Sequence, residues 1–271
     1  MTRPAPGPAF SKLEALGNDF VLIDARAAPV ELGSNRVREL ADRRTGIGCD
    51  QLLVLEPADD ACARVAIFNA DGTPAEQCGN GMRAIAAWLD RAGELASGLK
   101  LTTPAGPVVL DRAEDGQYAA ELPGPEPLTP EQLELAAPTL PGHACGWKLV
   151  SMGNPHLVVD WPDPPSAADL AAVVSQIEND RAWRNRVNIG LAHVDAGGHV
   201  LLRVHERGAG PTPACGSAAC AAAVAVGPGR DDSTALAVIQ PGGTIVVDLT
   251  AEGRRVRTRG PARIVYDGRL A

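Results

Sequence analysis

Val65 to Gly79 reads VAIFNADGTPAEQCG, and Leu202 to Gly216 reads LRVHERGAGPTPACG. Set 137 positions apart, the two segments pair Pro74 with Pro211 and Cys78 with Cys215. A second pair agrees at an offset of 136: LGNDFVLID, Leu16 to Asp24, lies on MGNPHLVVD, Met152 to Asp160, and matches Gly17 with Gly153, Asn18 with Asn154 and Asp24 with Asp160. A few shared residues are common in a chain rich in Ala and Gly. Two matches at nearly one offset, about half of 271 residues, read instead as a duplication. The expected organisation is two related halves facing each other across a cleft. The proline-rich LPGPEPLTP, Leu122 to Pro130, and its continuation to Gly146 join them.

In each half, apolar strand-like runs lead through a polar loop to Cys-Gly and then a helix. Runs at 21–24, 51–56 and 64–68 predict strands in the first half, answered by 157–160, 187–195 and 200–205 in the second. Strands at 244–249 and 262–266 follow the second helix. GMRAIAAWLDR, 81–91, predicts a helix with Gly93 as its stop. AACAAAVAV, 218–226, predicts another with almost no polar face, hence one buried on all sides and wrapped by sheet.

Bulk composition narrows the function classes. Hydrophobic residues make up 45% of the chain and aromatics only 3%, so the core is built from Ala, Val, Leu and Ile. The net charge is -8 and the basic residues are scattered, which argues against nucleic acid as a partner. No signal core opens the chain and no apolar run reaches the roughly 20 residues of a membrane span, so a cytoplasmic protein is expected. Six cysteines, at 49, 62, 78, 145, 215 and 220, show no CxxC spacing and are expected to be reduced, with no metal site.

A cysteine at a helix start can be a nucleophile, redox group, metal ligand, proton carrier or small buried side chain. Cys78 and Cys215 each precede a predicted helix. Unpaired N–H groups and the positive end of the helix dipole favour negative charge there, so a lowered thiol pKa is expected. The same N–H groups hold a carboxylate. Two such thiols on opposite sides of one substrate make two-base geometry: one removes a proton next to the carboxylate, the other delivers one to the opposite face. Cys49, Cys62, Cys145 and Cys220 are read as small buried hydrophobes.

These segments together resemble the diaminopimelate epimerase family over nearly the whole chain. The resemblance rests on LGNDF from Leu16, GIGCDQ from Gly46, FNADG from Phe68, EQCGNG from Glu76, MGNPH from Met152, RVN from Arg186, HERGAG from His205 and ACG from Ala214, in the family's order. It implies a cofactor-independent epimerase that interconverts LL- and meso-diaminopimelate, using neither pyridoxal phosphate nor metal. It also implies mixed α/β (α+β) architecture: two pseudo-symmetric lobes, 1–122 with 263–271 returning to it, and 123–262, each a β-barrel-like sheet around a central helix. A homodimer is implied likewise.

By the same resemblance Cys78 and Cys215 are the acid–base pair, with His156 and Glu206 nearby to tune or deprotonate them. Asn18, Gln51, Asn69, Asn154, Asn188, Glu206 and Arg207 are implied as substrate contacts. Gly79, Asn80, Gly216 and Ser217 are implied to hold the reacting end. The residue types suit a substrate with an amino and a carboxyl group at both ends, since arginine pairs with carboxylate and asparagine both donates and accepts.

Plainer readings stand beside these. Asn18 and Asn154 follow glycine and also suit turns, Glu206 and Arg207 also suit an exposed ion pair, and Asp42, Arg43 and Arg44 read as a solvated face without a role. Leu13-Glu14-Ala15, Pro211 and Ala218 depart from the family pattern and bear on substrate fit and rate. Three other functions compete: proline or hydroxyproline racemization on a related scaffold, a non-catalytic amino-acid binding protein, and, from GNGMRA at 79–84, dinucleotide binding. The last lacks its context, because about ten residues separate Phe68 from Gly79.

Overall fold

A computed structural model describes residues 7–227, 235–249 and 255–270; the first six residues of the N-terminal stretch examined for a signal core lie outside it. The chain divides into two units, Met1–Ala120 with Pro261–Ala271, and Glu121–Gly260.

The first unit contains β1 (Ala9–Ala15), β2 (Asn18–Asp24), α1 (Ser34–Ala41), β3 (Gln51–Glu56), β4 (Ala63–Asn69), α2 (Gly79–Arg91), β5 (Leu99–Thr103) and β6 (Gly106–Arg112). β1 pairs antiparallel with β2, β2 parallel with β3, β3 antiparallel with β4, β4 parallel with β5, and β5 antiparallel with β6. The last strand, β17 (Arg263–Arg269), adds antiparallel to β1. Parallel neighbours need a crossover, and α1 and α2 provide the two required. α2 touches β1, β2 and β17 as well as β6, so the sheet curls round it.

After β7 (Tyr118–Pro123) the second unit repeats this order with β8 (Glu126–Leu128), β9 (Gly146–Ser151), β10 (Pro155–Asp160), α3 (Ala167–Asn179), β11 (Asn188–Val194), β12 (Val200–Glu206), β13 (Gly210–Thr212), α4 (Gly216–Val226), β14 (Leu236–Gln240), β15 (Gly243–Leu249) and β16 (Arg255–Gly260). β9 pairs antiparallel with β10, β10 parallel with β11, β11 antiparallel with β12, β12 parallel with β14, and β14 antiparallel with β15. The alternation matches the first unit strand for strand, with α3 and α4 as the crossovers. β13 folds back on β12 as a short hairpin.

Side chains explain the elements. α4 touches strands from β9 to β16, and nearly all of its residues are buried. Its alanines are small enough for a helix enclosed by sheet. α3 starts at a capping box, Ser166 with Asp169, and buries Leu170, Val173, Val174 and Ile177, the spacing of a single helical face. In the β1–β2 turn, Leu16 and Gly17 both have positive φ, 57° and 83°, the geometry of a two-residue hairpin turn. Gly153 (φ 88°) supplies the positive φ in the three-residue turn between β9 and β10.

Three expectations need correction. The proline-rich stretch is not a mere connection: β8 pairs with β9, and Leu128, Leu133, Leu135 and Leu140 pack into the core of the second unit. Apolar residues interleaved with the prolines have a core to reach. α2 and α4 each begin two residues earlier than expected, because Gly79 and Gly216 follow their capping cysteines directly into the first turn. Cys145 is exposed and Cys62 only half-buried, so neither is the buried hydrophobe expected.

Candidate active site

Cys78 is the residue capping α2, with extended backbone (φ -148°, ψ 93°), and its Sγ accepts the Gly81 N–H at 3.2 Å. The thiol is buried. A Cβ on residue 81 would stand 3.0 Å from Cys78 Sγ and 3.2 Å from Leu53 Cδ1, so glycine lets the helix start close over the sulfur. Leu53 lies two residues beyond Gln51 on the same face of β3, which brings the thiol toward the expected substrate residues of this unit.

Those residues are linked. Gln51 and Asn69 oppose each other across β3 and β4, and Gln51 Nε2 donates to Asn69 Oδ1 at 3.0 Å. Asn69 Nδ2 donates to Thr73 Oγ1 at 3.1 Å. Asn18, at the start of β2, donates through Nδ2 to Asp50 Oδ2 at 2.7 Å. Asn80 is turned inward: its Oδ1 accepts from the wholly buried Arg83 at 2.7 Å.

Asp50 and Arg43 are the supporting residues that sequence reasoning missed. Arg43 donates to Asp19 at 2.7 Å and to Asp50 at 2.6 Å, so the arginine read as part of a solvated face braces the carboxylate that holds Asn18. Burial pushes the Asp19 carboxyl up, but hydrogen bonds from Arg43 and Lys12 outweigh it and hold it well below the usual carboxylate range. Asp19 and Asp50 both stood in quoted motifs, yet nothing in their spacing announced Arg43.

In the second unit Cys215 caps α4 in the same extended conformation (φ -130°, ψ 121°), buried, with Sγ 3.3 Å from Ser217 Oγ. Burial and the Glu206 charge push the thiol well above its ordinary pKa, against donors from Ser217 and the Ala218 N–H. This corrects the expectation of a lowered pKa: desolvation and an adjacent carboxylate prevail over the helix start. Glu206 faces the thiol as a hydrogen-bond partner and is itself anchored by Thr212 Oγ1 at 2.5 Å. β13 presents Thr212 despite the Pro211 departure, because Pro211 keeps register with His205.

His156 is 1% exposed, with Nε2 3.0 Å from Asn154 Oδ1 and 3.4 Å from Asn188 Nδ2. His156 and Asn188 are register neighbours on the parallel strands β10 and β11. Burial, helped by the Arg207 charge, lowers the imidazole pKa to about 3, so it is neutral at physiological pH. Asn188 Oδ1 accepts the Arg207 N–H at 2.8 Å, which leaves the exposed Arg207 side chain to reach outward. Asn154, His156, Asn188 and Arg207 thus form one chain of contacts, and Thr212, Glu206, Cys215 and Ser217 another. Residues 206 and 207 join the two.

The other cysteines differ. Burial pushes Cys49 up to about 11, Cys62 lies 3.6 Å from Arg26 Nη1, and Cys220 is enclosed in α4. Among the described residues no group of three His, Cys, Asp or Glu is placed to hold a metal. A cavity of about 590 Å³ between α3 and β12 includes Thr212 in its wall but not Cys215.

A family model described as diaminopimelate epimerase matches residues 10–125 and 148–265. A relative from Halorhodospira halophila, named diaminopimelate epimerase, is 40% identical over 96% of this chain and 94% of its own. One of the same name from Rhizorhabdus wittichii is 42% identical over 95% and 93%. Among solved structures, a hydroxyproline epimerase from Agrobacterium vitis with bound trans-4-hydroxy-L-proline is similar in fold, with TM-score 0.72 at 14% identity over 100% of this chain and 94% of that one. A phenazine biosynthesis protein of the PhzF family from Bacillus anthracis has TM-score 0.68 at 18% identity over 98% and 100%.

Proposed function

The chain belongs to the diaminopimelate epimerase family, and from that premise we propose that it interconverts LL- and meso-diaminopimelate by passing protons through Cys78 and Cys215. The observation that carries this reading is the repeated one: in each unit the second crossover of the same strand order opens on a cysteine capping the enclosed helix. One cysteine, as thiolate, removes the proton from the α-carbon, and the electron pair moves toward the carboxylate. The other cysteine, as thiol, returns a proton to the opposite face, inverting the centre and becoming thiolate. Helix N–H groups at Gly79, Asn80, Gly216 and Ser217 stabilise the carboxylate as its charge grows.

Glu206 serves Cys215 as proton acceptor, a role supported by the high thiol pKa, since that thiol needs a base to ionise. His156, held neutral by burial, is read as tuning the site and not as a base, since its environment opposes taking up a proton. Asn18, Gln51, Asn69, Asn154 and Asn188 grip amino and carboxyl groups, Glu206 also meets an amino group, and Arg207 pairs with the distal carboxylate. No pyridoxal phosphate and no metal take part in this reading. The structures related by fold at 14% identity, one a probable proline racemase from Agrobacterium radiobacter, give no reason to prefer a proline substrate.

Two reactive thiols have to stay reduced, which supports a cytoplasmic setting. Small molecules are the expected partners and nucleic acid is not, in keeping with a net charge of -8. A homodimer is supported by Val265 and Tyr266 of β17, large hydrophobics that are 48% and 45% exposed.

The test is direct. LL-diaminopimelate given to reduced protein should yield the meso form, and Cys78→Ser and Cys215→Ser should each cut turnover by orders of magnitude while folding normally. Exchange of α-protons in proline, and none in diaminopimelate, would transfer the assignment to the racemases.

A further inference from the structure

Both thiol-bearing residues give their backbone N–H to a glutamine. Cys78 N–H donates to Gln77 Oε1 at 3.1 Å, and Cys215 N–H donates to Gln240 Oε1 at 2.9 Å. The two glutamines are 7% and 5% exposed, and the Nε2 of each is buried with no hydrogen-bond partner among the described residues.

The duplication does not account for this match. Under the offset that pairs Cys78 with Cys215, Gln77 falls on Ala214, which cannot make the contact. The second unit supplies it from elsewhere: Gln240 lies 25 residues beyond Cys215, at the end of β14. The turn after it is fastened to the same segment, because Gly242 N–H donates to Pro213 O at 2.8 Å. Two different routes through the chain therefore place a glutamine oxygen on the same atom of each thiol-bearing residue.

The unfilled donor indicates why glutamine is used. A buried N–H without an acceptor is costly, and an amide carries its oxygen and nitrogen on one carbon, so each Nε2 stays close to the cap that its oxygen grips. The sulfur of the capped residue becomes a strong acceptor when the thiol loses its proton. We propose that Gln77 and Gln240 are paired positioning residues: each fixes one thiol at its helix start through the cap N–H and offers Nε2 to the thiolate. The inference rests on Cys78 and Cys215 as the proton-carrying groups.

Gln240 is the sharper test, since the titratable group facing Cys215 is known to be Glu206, with Ser217 Oγ and Ala218 N–H as its polar donors. Reduced full-length protein without substrate is treated with iodoacetamide across a pH series, and Cys215 labelling is read by peptide mass spectrometry. Gln240→Leu should move the midpoint for Cys215 upward by about half a pH unit or more, with Cys78 labelling unchanged. Turnover should fall about tenfold or more in kcat, with KM within about twofold. Gln240→Glu keeps an acceptor for the Cys215 N–H but exchanges the donors for charge, so the midpoint should move further up. Gln77→Leu should slow labelling of Cys78 and leave Cys215 alone.

Unchanged Cys215 midpoints in the folded Gln240 variants would overturn the proposal. If Gln240→Leu does not fold, Gln240→Glu alone decides on the same terms. Because labelling needs no turnover, that failure would leave the two-thiol reading intact. Full turnover in Cys215→Ser would remove the premise and overturn both.

Discussion

Thr212 Oγ1 donates to Glu206 Oε1 at 2.5 Å, and Glu206 faces the Cys215 thiol. A residue on β13 thereby sets the direction of the carboxylate proposed to serve the thiol. Removing a hydrogen bond to a charged group costs about 1.5–3 kcal/mol, equivalent to roughly tenfold or more in rate if it is expressed in the transition state. Thr212→Val should lower kcat by that order, and Thr212→Ser should restore it. Equal kinetics for the two variants would show that the hydroxyl is not used.

Glu206 has opposed effects on Cys215. Burial comes first in raising the thiol pKa and the Glu206 charge second. Glu206→Gln should therefore make Cys215 quicker to alkylate at pH 8 while slowing epimerization, because the thiol ionises more readily but has lost its base. Parallel loss of both would indicate disruption of the site instead.

His156 links the site to stability. Its pKa is about 3 in the folded state, against an ordinary value of 6.5, so the unfolded chain takes up a proton that the native imidazole refuses. Stability from the neutral residue is full above about pH 6.5 and is lost as pH falls toward 3. Denaturant melts at pH 7 and pH 4.5 should show a smaller drop for His156→Gln than for the parent. An imidazole signal from His156 that titrates near pH 6.5 would contradict this.

Arg43 is a support with little to contribute to stability. Its side chain is 56% exposed, and exposed pairs contribute about 0–1 kcal/mol. Yet it braces Asp50, which holds Asn18. Arg43→Ala should raise KM several-fold, leave kcat nearly unchanged, and shift stability by no more than about 1 kcal/mol. Unaltered KM would mean that Asn18 keeps its position without this brace.

What could be read in advance follows from the range of each interaction. The enclosed α4 was legible because Ala221, Ala222 and Ala223 leave no polar face, and β3 was legible because its residues 52–55 are continuously apolar. α3 escaped notice although Ser166 and Asp169 form a capping box ahead of Leu170, Val173, Val174 and Ile177. α1 is eight residues long with no side-chain cap, too little signal for its period to stand out. In the candidate site, local motifs pointed to the helix-capping cysteines. The Gln240 contact to Cys215 and the Arg43 contact to Asp19 span 25 and 24 positions and depend on folding to bring the partners together. The direction of the Cys215 pKa failed for a related reason: burial and Glu206 are tertiary facts that helix position alone omits.

The most direct measurement of the central claim is the fate of solvent deuterium during the first turnovers of LL-diaminopimelate in D₂O. Two thiols working on opposite faces predict that newly formed meso product carries deuterium at the inverted carbon while recovered LL substrate keeps its hydrogen. Deuterium appearing in recovered substrate as fast as in product would mean that one group both removes and returns the proton, and would contradict the account.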